Sequence, residues 1–213
     1  MQEIEDLSIG GSLKLTGPVK FKRIELAGSL NIDGSAEGKD LEISGSGKIS
    51  GQLKVDFIKV RGSLKVGGSC ESQELEISGS VEAGGPIKSG KIAVSGKLEG
   101  EYIEANKMTI AGKIAGGEIR AREIELEKSS RINGTIICRR INIEKGAEVG
   151  NVFADIINVE READCGILEC NEINVERRVD IKEIRYVKFA KISPDANVGS
   201  VMKIEKISRD LPN

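Results

Sequence analysis

Apolar residues along this chain come in pairs separated by one residue, and the pairs recur at a fixed distance. Leu7 and Ile9 open the series, whose first member returns 17 residues later at Ile24, then at Leu41, Ile58, Leu75 and Ile92. The step falls to 16 at Met108 and Ile124, returns to 17 at Ile141, and is 16 again at Ile157 and Ile173. A weaker copy stands at Ala190 with Ile192, making twelve copies along 213 residues. Each copy carries three such pairs, in the first copy Leu7/Ile9, Leu13/Leu15 and Val19/Phe21. A spacing of two puts both members on one face of a strand, and no stretch keeps the 3.6-residue period of a helix.

A coil of three short strands cannot bury its apolar face alone, but stacked coils can. The pattern therefore predicts an all-β, three-sided parallel β-helix, a solenoid of about 12 coils of 16–17 residues running as one continuous unit over residues 1–213. Small inward residues, among them Ala36, Gly38, Gly47, Ala83, Ala105, Ala121 and Ala154, call for a narrow cross-section in places. Breaks between pairs hold columns of glycine. One runs Gly11, Gly28, Gly45, Gly62, Gly79, Gly96, Gly112, and a second Gly17, Gly34, Gly51, Gly68, Gly85. Both are expected at corners where the backbone needs positive φ. A serine column beside the first (Ser12, Ser29, Ser46, Ser63, Ser80) is expected to hydrogen-bond between corners.

Composition divides the chain. Of 26 glycines, 21 precede residue 118, whereas arginine rises from two before it to ten after. This separates Gly/Ser-rich coils (1–117) from charge-rich coils (118–190), followed by a terminal coil and cap over 191–213. In the charge-rich coils the corner reads Glu127–Lys128, Glu144–Lys145, Glu160–Arg161 and Glu176–Arg177, beside an outward column of Asn142, Asn158 and Asn174. Like charges stacked at strand spacing repel, and an adjacent column of opposite sign relieves them. The stripe is expected to be either a solvated face of interleaved ion pairs or a lateral docking surface.

Net charge is −2, with 32 basic and 34 acidic residues and 3% aromatics, so nothing favours nucleic acid. No apolar run reaches membrane-spanning length, membrane attachment is not indicated, and a cytoplasmic protein is the default. Cys70, Cys138, Cys165 and Cys170 fall on inward positions, with no C-x-x-C and no histidine. They read as buried free thiols of a reducing compartment rather than a metal pair. Lack of histidine also removes the commonest general base, and no phosphate-binding G-x-x-x-x-G-K-[ST] occurs. No catalytic residue, metal or cofactor is expected. A degenerate acyltransferase of the left-handed β-helix kind is the least favoured alternative.

The segments GKIAGGEIRAREIEL (112–126) and INIEKGAEVGNVFA (141–154) resemble the bactofilins, most closely over residues 90–185. The resemblance implies a right-handed β-helix that polymerises end to end into nonpolar cytoskeletal filaments without nucleotide and scaffolds other proteins. The chain departs from the family in having about twice the usual number of coils and in lacking proline-rich flanks and a membrane-targeting N-terminus. A physical argument points the same way: the end of a solenoid exposes core and unpaired strand edge unless capped. The expected end-to-end interface comprises Ile4, Leu7 and Ile9 at one end and Phe189, Ile192, Val198, Val201, Ile204 and Ile207 at the other. The expected partner is a second copy of the chain, with another scaffolded protein in addition. The competing expectation is a non-polymerising rod that docks a protein or polysaccharide on its charged face.

Overall fold

The computed structural model describes residues 2–212, which contain strands and no helix. Parallel ladders wind them into a β-solenoid of about 12 turns. Two compact units are present, Met1–Ala105 and Asn106–Asn213.

In the first unit each coil is one strand of eight residues and one of three to five. Successive long strands, from Gln2–Ile9 through Val19–Leu26, Ala36–Ile43, Leu53–Val60 and Cys70–Ile77 to Ile87–Val94, pair in parallel with a constant offset of 17. Short strands such as Ser12–Thr16 and Ser29–Asp33 form a second ladder at the same offset. Three inward pairs per coil are present as expected, but one corner is not a break. Val19–Leu26 buries Val19, Phe21, Ile24 and Leu26 and turns its side chains at the two successive outward residues Lys22 and Arg23 without interrupting the strand. Alternation slips by one residue there, which bends the face inward again, and Lys22 is the one position that both neighbouring registers skip.

The first glycine column corrects the sequence reading. None of Gly28, Gly45, Gly62, Gly79 and Gly96 has positive φ; instead each meets the carbonyl oxygen of the glycine one coil before it, which would lie 1.9 Å from an added Cβ. That same oxygen is in use: Ser29 N–H donates to Gly11 O and Ser46 N–H to Gly28 O, each at 2.9 Å. Glycine is needed because backbone stacks on backbone. The serine column thus hydrogen-bonds between corners through its main-chain N–H groups. In the second column only Gly17 (φ 84°) and Gly34 (φ 148°) are left-handed. Core volume is balanced between coils: the Phe21 ring fills the space a side chain on Gly38 would need.

In the second unit the strands lengthen to 12–14 residues (Lys113–Leu126, Arg131–Ile143, Glu148–Val159, Asp164–Val175), with Asp180–Ile192 of 13 and Asn197–Lys203 of seven at its end. The change of period is absorbed in the ladders as register shifts at Ala115/Glu118, Ile132/Thr135 and Cys170/Glu172. A single tight corner remains in each coil. Its left-handed residue is Ser129 (φ 59°), Gly146 (φ 70°), Glu162 (φ 63°) or Arg178 (φ 56°). This corrects the expected position, because the column Lys128, Lys145, Arg161, Arg177 lies one residue earlier. Inward residues, including Ile136, Cys138, Ile141, Ile143, Ala147 and Val149, form the buried core.

Candidate assembly surfaces

The first coil of the first unit is the least covered. Gln2–Ile9 pairs only with Val19–Leu26, and Ser12–Thr16 only with Ser29–Asp33, among the described residues. Ile4, Leu7, Leu13 and Leu15 are half-buried, whereas the next coil's Ile24, Leu30 and Ile32 are at most 1% exposed. Ile9 is buried. The edge therefore offers inward-type apolar side chains together with backbone groups that a further strand would pair.

At the far end of the second unit, Asn197–Lys203 is the last rung and pairs with Asp180–Ile192. Ile192 and Val198 are half-buried, Val201 is 48% exposed and Phe189 57%. This edge is less apolar than the sequence suggested. Lys203 stands in register with Tyr186 and Cys170, so its position is an inward one. An inward-pointing charge at a sheet edge discourages further pairing.

Ile204 and Ile207 do not lie on that edge, contrary to expectation. After Ile204 N–H donates to Tyr186 O (2.8 Å), the chain leaves the ladder and runs back over the outer side of the second unit rather than across its end. Ser208 N–H donates to the Glu169 carboxylate, Arg209 lies 5.7 Å from the Phe153 ring centre, Arg139 Nε donates to Pro212 O (2.7 Å), and Arg120 donates to Asp210 O (3.4 Å). The physical reason is written in the outward column Arg120, Ile137, Phe153, Glu169, Arg185. It carries two large apolar side chains where the sequence rule expects polar ones, and they need a cover.

The stripe of the charge-rich coils is a network in which carboxylates serve the corner. Glu160 Oε2 accepts from Lys145 N–H and Glu176 Oε2 from Arg161 N–H, both at 3.2 Å. Folding back onto backbone donors relieves the stacking of like charges. Lys145 (3.0 Å) and Arg178 (2.8 Å) converge on Glu162, a residue the sequence reading passed over. The hydrogen bond and charge of Lys145, followed by the charges of Arg178 and Arg161, hold the Glu162 carboxyl below its ordinary pKa. Glu127, Lys128, Glu176 and Arg177 are exposed, while Glu144 and Lys145 are half-buried. Asn158 Nδ2 donates to Asn142 Oδ1 at 2.9 Å, which links two members of the asparagine column. A cleft of about 650 Å³ opens beside the stripe, lined by Arg161, Asn174, Glu176, Arg177, Lys191 and Pro194 among others.

A second charge pattern escaped the sequence reading, which followed apolar, glycine and serine columns through the early coils and charged columns only in the later ones. Glu3, Lys20, Glu37, Lys54, Glu71 and Lys88 stand in register on consecutive coils, alternating in sign, and Lys88 Nζ reaches Glu104 at 3.3 Å. Further cross-coil pairs, Lys59–Glu76, Lys65–Glu82 and Lys91–Glu74, each close at 2.7 Å. Opposite charges placed directly across a ladder favour one register over its neighbours.

All four cysteines are buried and free. Burial, the dominant cause, pushes the thiols of Cys70, Cys165 and Cys170 up to about 12 and raises Cys138 as well. Ala154 separates Cys138 from Cys170 in register. Among the described residues no cluster of acidic, cysteine or histidine side chains has the makings of a metal site, and no helix is long and apolar enough to cross a membrane.

Residues 72–153 match the bactofilin family model. That family is described as polymer-forming and cytoskeletal. The matched segment begins and ends earlier than residues 90–185, the stretch of closest resemblance read from sequence, and includes residues of both units. Among solved structures, the chain is similar to the C-terminal domain of the tapirin of Caldicellulosiruptor hydrothermalis, at 14% identity and a TM-score of 0.31, over 99% of this chain and 59% of that one. The chain thus spans about 59% of the length of that neighbour. No curated protein matches the chain.

Proposed function

We propose that this chain is a structural protein that polymerises end to end, without nucleotide and without catalysis, as a cytoskeletal scaffold. The observation that carries this reading is the first coil, whose Ile4, Leu7, Leu13 and Leu15 stay half-exposed where the equivalent residues one coil later are buried. A second copy that stacks on this edge buries them and pairs the free strand groups, each fully buried aliphatic side chain contributing on the order of 2 kcal/mol. Ile192, Val198 and Val201 give the other end a smaller apolar contribution. The bactofilin segment supports polymer formation. Four free thiols suit a reducing cytoplasm.

Negative-stain electron microscopy of the purified chain, over a range of salt and with no nucleotide, tests the reading. Filaments or ribbons are expected. Uniform short particles at every concentration would overturn it. A second reading, docking of a scaffolded protein on the side, is favoured by the cleft beside Arg161, Glu176 and Arg177.

A further inference from the structure

The outward positions of the solenoid are polar or half-exposed with a local exception. In the second unit, Ile137 occupies an outward position yet is 0% exposed, and Glu169, also outward, is 1% exposed. A carboxylate is taken from water only where partners replace it. Here they are Arg185 Nη1 (3.4 Å), itself held by Glu183 (2.8 Å), and the backbone N–H of Ser208. The element that passes over this column is the tail, in contact at Glu169, Phe153, Arg139 and Arg120. Ile137 lies in register between Arg120 and Phe153, both of which the tail touches.

Three of the four contacts read the main chain of the tail: Ser208 N–H, Asp210 O and Pro212 O. Ile204, Ile207, Leu211 and Pro212 are half-buried along it. A charged group at each end of an apolar floor, with donors and an acceptor aimed at backbone, is how a surface recognises an extended peptide.

We propose that the column Arg120–Ile137–Phe153–Glu169, with Arg139 at its side, is a binding groove for an extended segment, that residues 204–212 of the same chain are its occupant, and that their docking laces the last coil to the coils before it. Asn197–Lys203 has a ladder on one side only, and such a terminal strand frays first. The tail begins immediately after it, so a tail held at residues as far back as Arg120 and Arg139 limits that fraying. It does so from the side and leaves the free edge of Asn197–Lys203 uncovered.

Two measurements on the full chain decide this without reference to assembly. In a Phe153→Cys, Arg209→Cys chain treated with a short bis-maleimide, the linked residues are mapped by mass spectrometry; the native thiols are buried and stay protonated. A 153–209 link within one chain is expected. Links found only between chains, or none, overturn the proposal. In an Ile207→Asp, Leu211→Asp chain, amide exchange over Val198–Lys203 is expected to speed at least tenfold while that over Leu53–Val60, which the tail does not touch, changes less than twofold. Equal exchange of Val198–Lys203 in both chains overturns the lacing role. Filament formation, read separately, bears only on the proposed function.

Discussion

The carbonyl oxygen of Gly45 lies 1.9 Å from the point where a β-carbon on Gly62 would sit. No side-chain rotation relieves that contact, because both groups are backbone and the oxygen already accepts the N–H of Ser63. Gly62→Ala is expected to cost about 3 kcal/mol, a fall in melting temperature of roughly 6–12 °C for a chain of this size. Gly146→Asn is the control. Its φ of 70° suits asparagine, and the nearest atom to an added Cβ is Ser129 Oγ at 3.6 Å. Thermal melts should place it within about 1 kcal/mol of the parent. If both substitutions cost the same, the two glycines do not differ in kind.

Charge at the open edges separates assembly from folding. Leu13→Lys and Val201→Asp alter half-buried or exposed positions, so circular dichroism should keep its β signature while long assemblies disappear in the microscope. Leu13 is a cleaner choice than Ile9, which is 8% exposed and belongs to the core. Should Glu160→Lys with Glu176→Lys remove assembly while the edge variants still polymerise, the charged corner rather than the coil ends would be the contact.

The thiols give a pH signature. With folded pKa values near 12 for Cys70, Cys165 and Cys170 against an ordinary 9.0, the native state keeps protons that the unfolded chain releases above pH 9. Stability is therefore unaffected by these groups below pH 9 and falls as pH rises from 9 towards 12, by about 1.4 kcal/mol per pH unit for each thiol. Denaturant titrations at pH 8, 9.5 and 10.5 should show the slope, and Cys70→Ala should make it shallower. A thiol reagent at pH 8 should label the protein only after unfolding.

Glu162 titrates in the opposite sense. Its carboxyl is held below the ordinary glutamate value first by Lys145 and then by Arg178 and Arg161. What it contributes is present above the unfolded pKa and is lost as pH falls through the folded one. A carbon-detected NMR titration of the glutamate carboxyls should find it among the most acidic, and Lys145→Met should move it back up. An unmoved resonance would mean that the ion pair at 3.0 Å is not populated in solution.

Much of the fold was legible because the signal repeats. A pair such as Ile24/Leu26 means little alone, yet the same pair in twelve coils fixes strand, face and register together, and even the weak copy at Ala190 falls in register with Ile173. Corners were harder. A glycine column signals that a side chain is unwelcome, but not whether the reason is positive φ, as at Gly17, or a carbonyl overhead, as at Gly28. The tail groove was out of reach for another reason. Ile137 and Phe153 are unremarkable until register puts them on one outward column, and the segment that covers them lies some 50 to 70 residues later in the chain.

The tight corner of the second unit prescribes a backbone shape and leaves the residue open: serine, glycine, glutamate and arginine all fill the left-handed position at 129, 146, 162 and 178. Each non-glycine there costs about 1 kcal/mol, and the long ladders on either side sustain the cost. The thread of the coil and the text written along that corner are consequently separable. One can be edited while the other is kept, so a single scaffold of this kind is able to diversify what it displays coil by coil, and its spacing of one residue per turn comes already ruled.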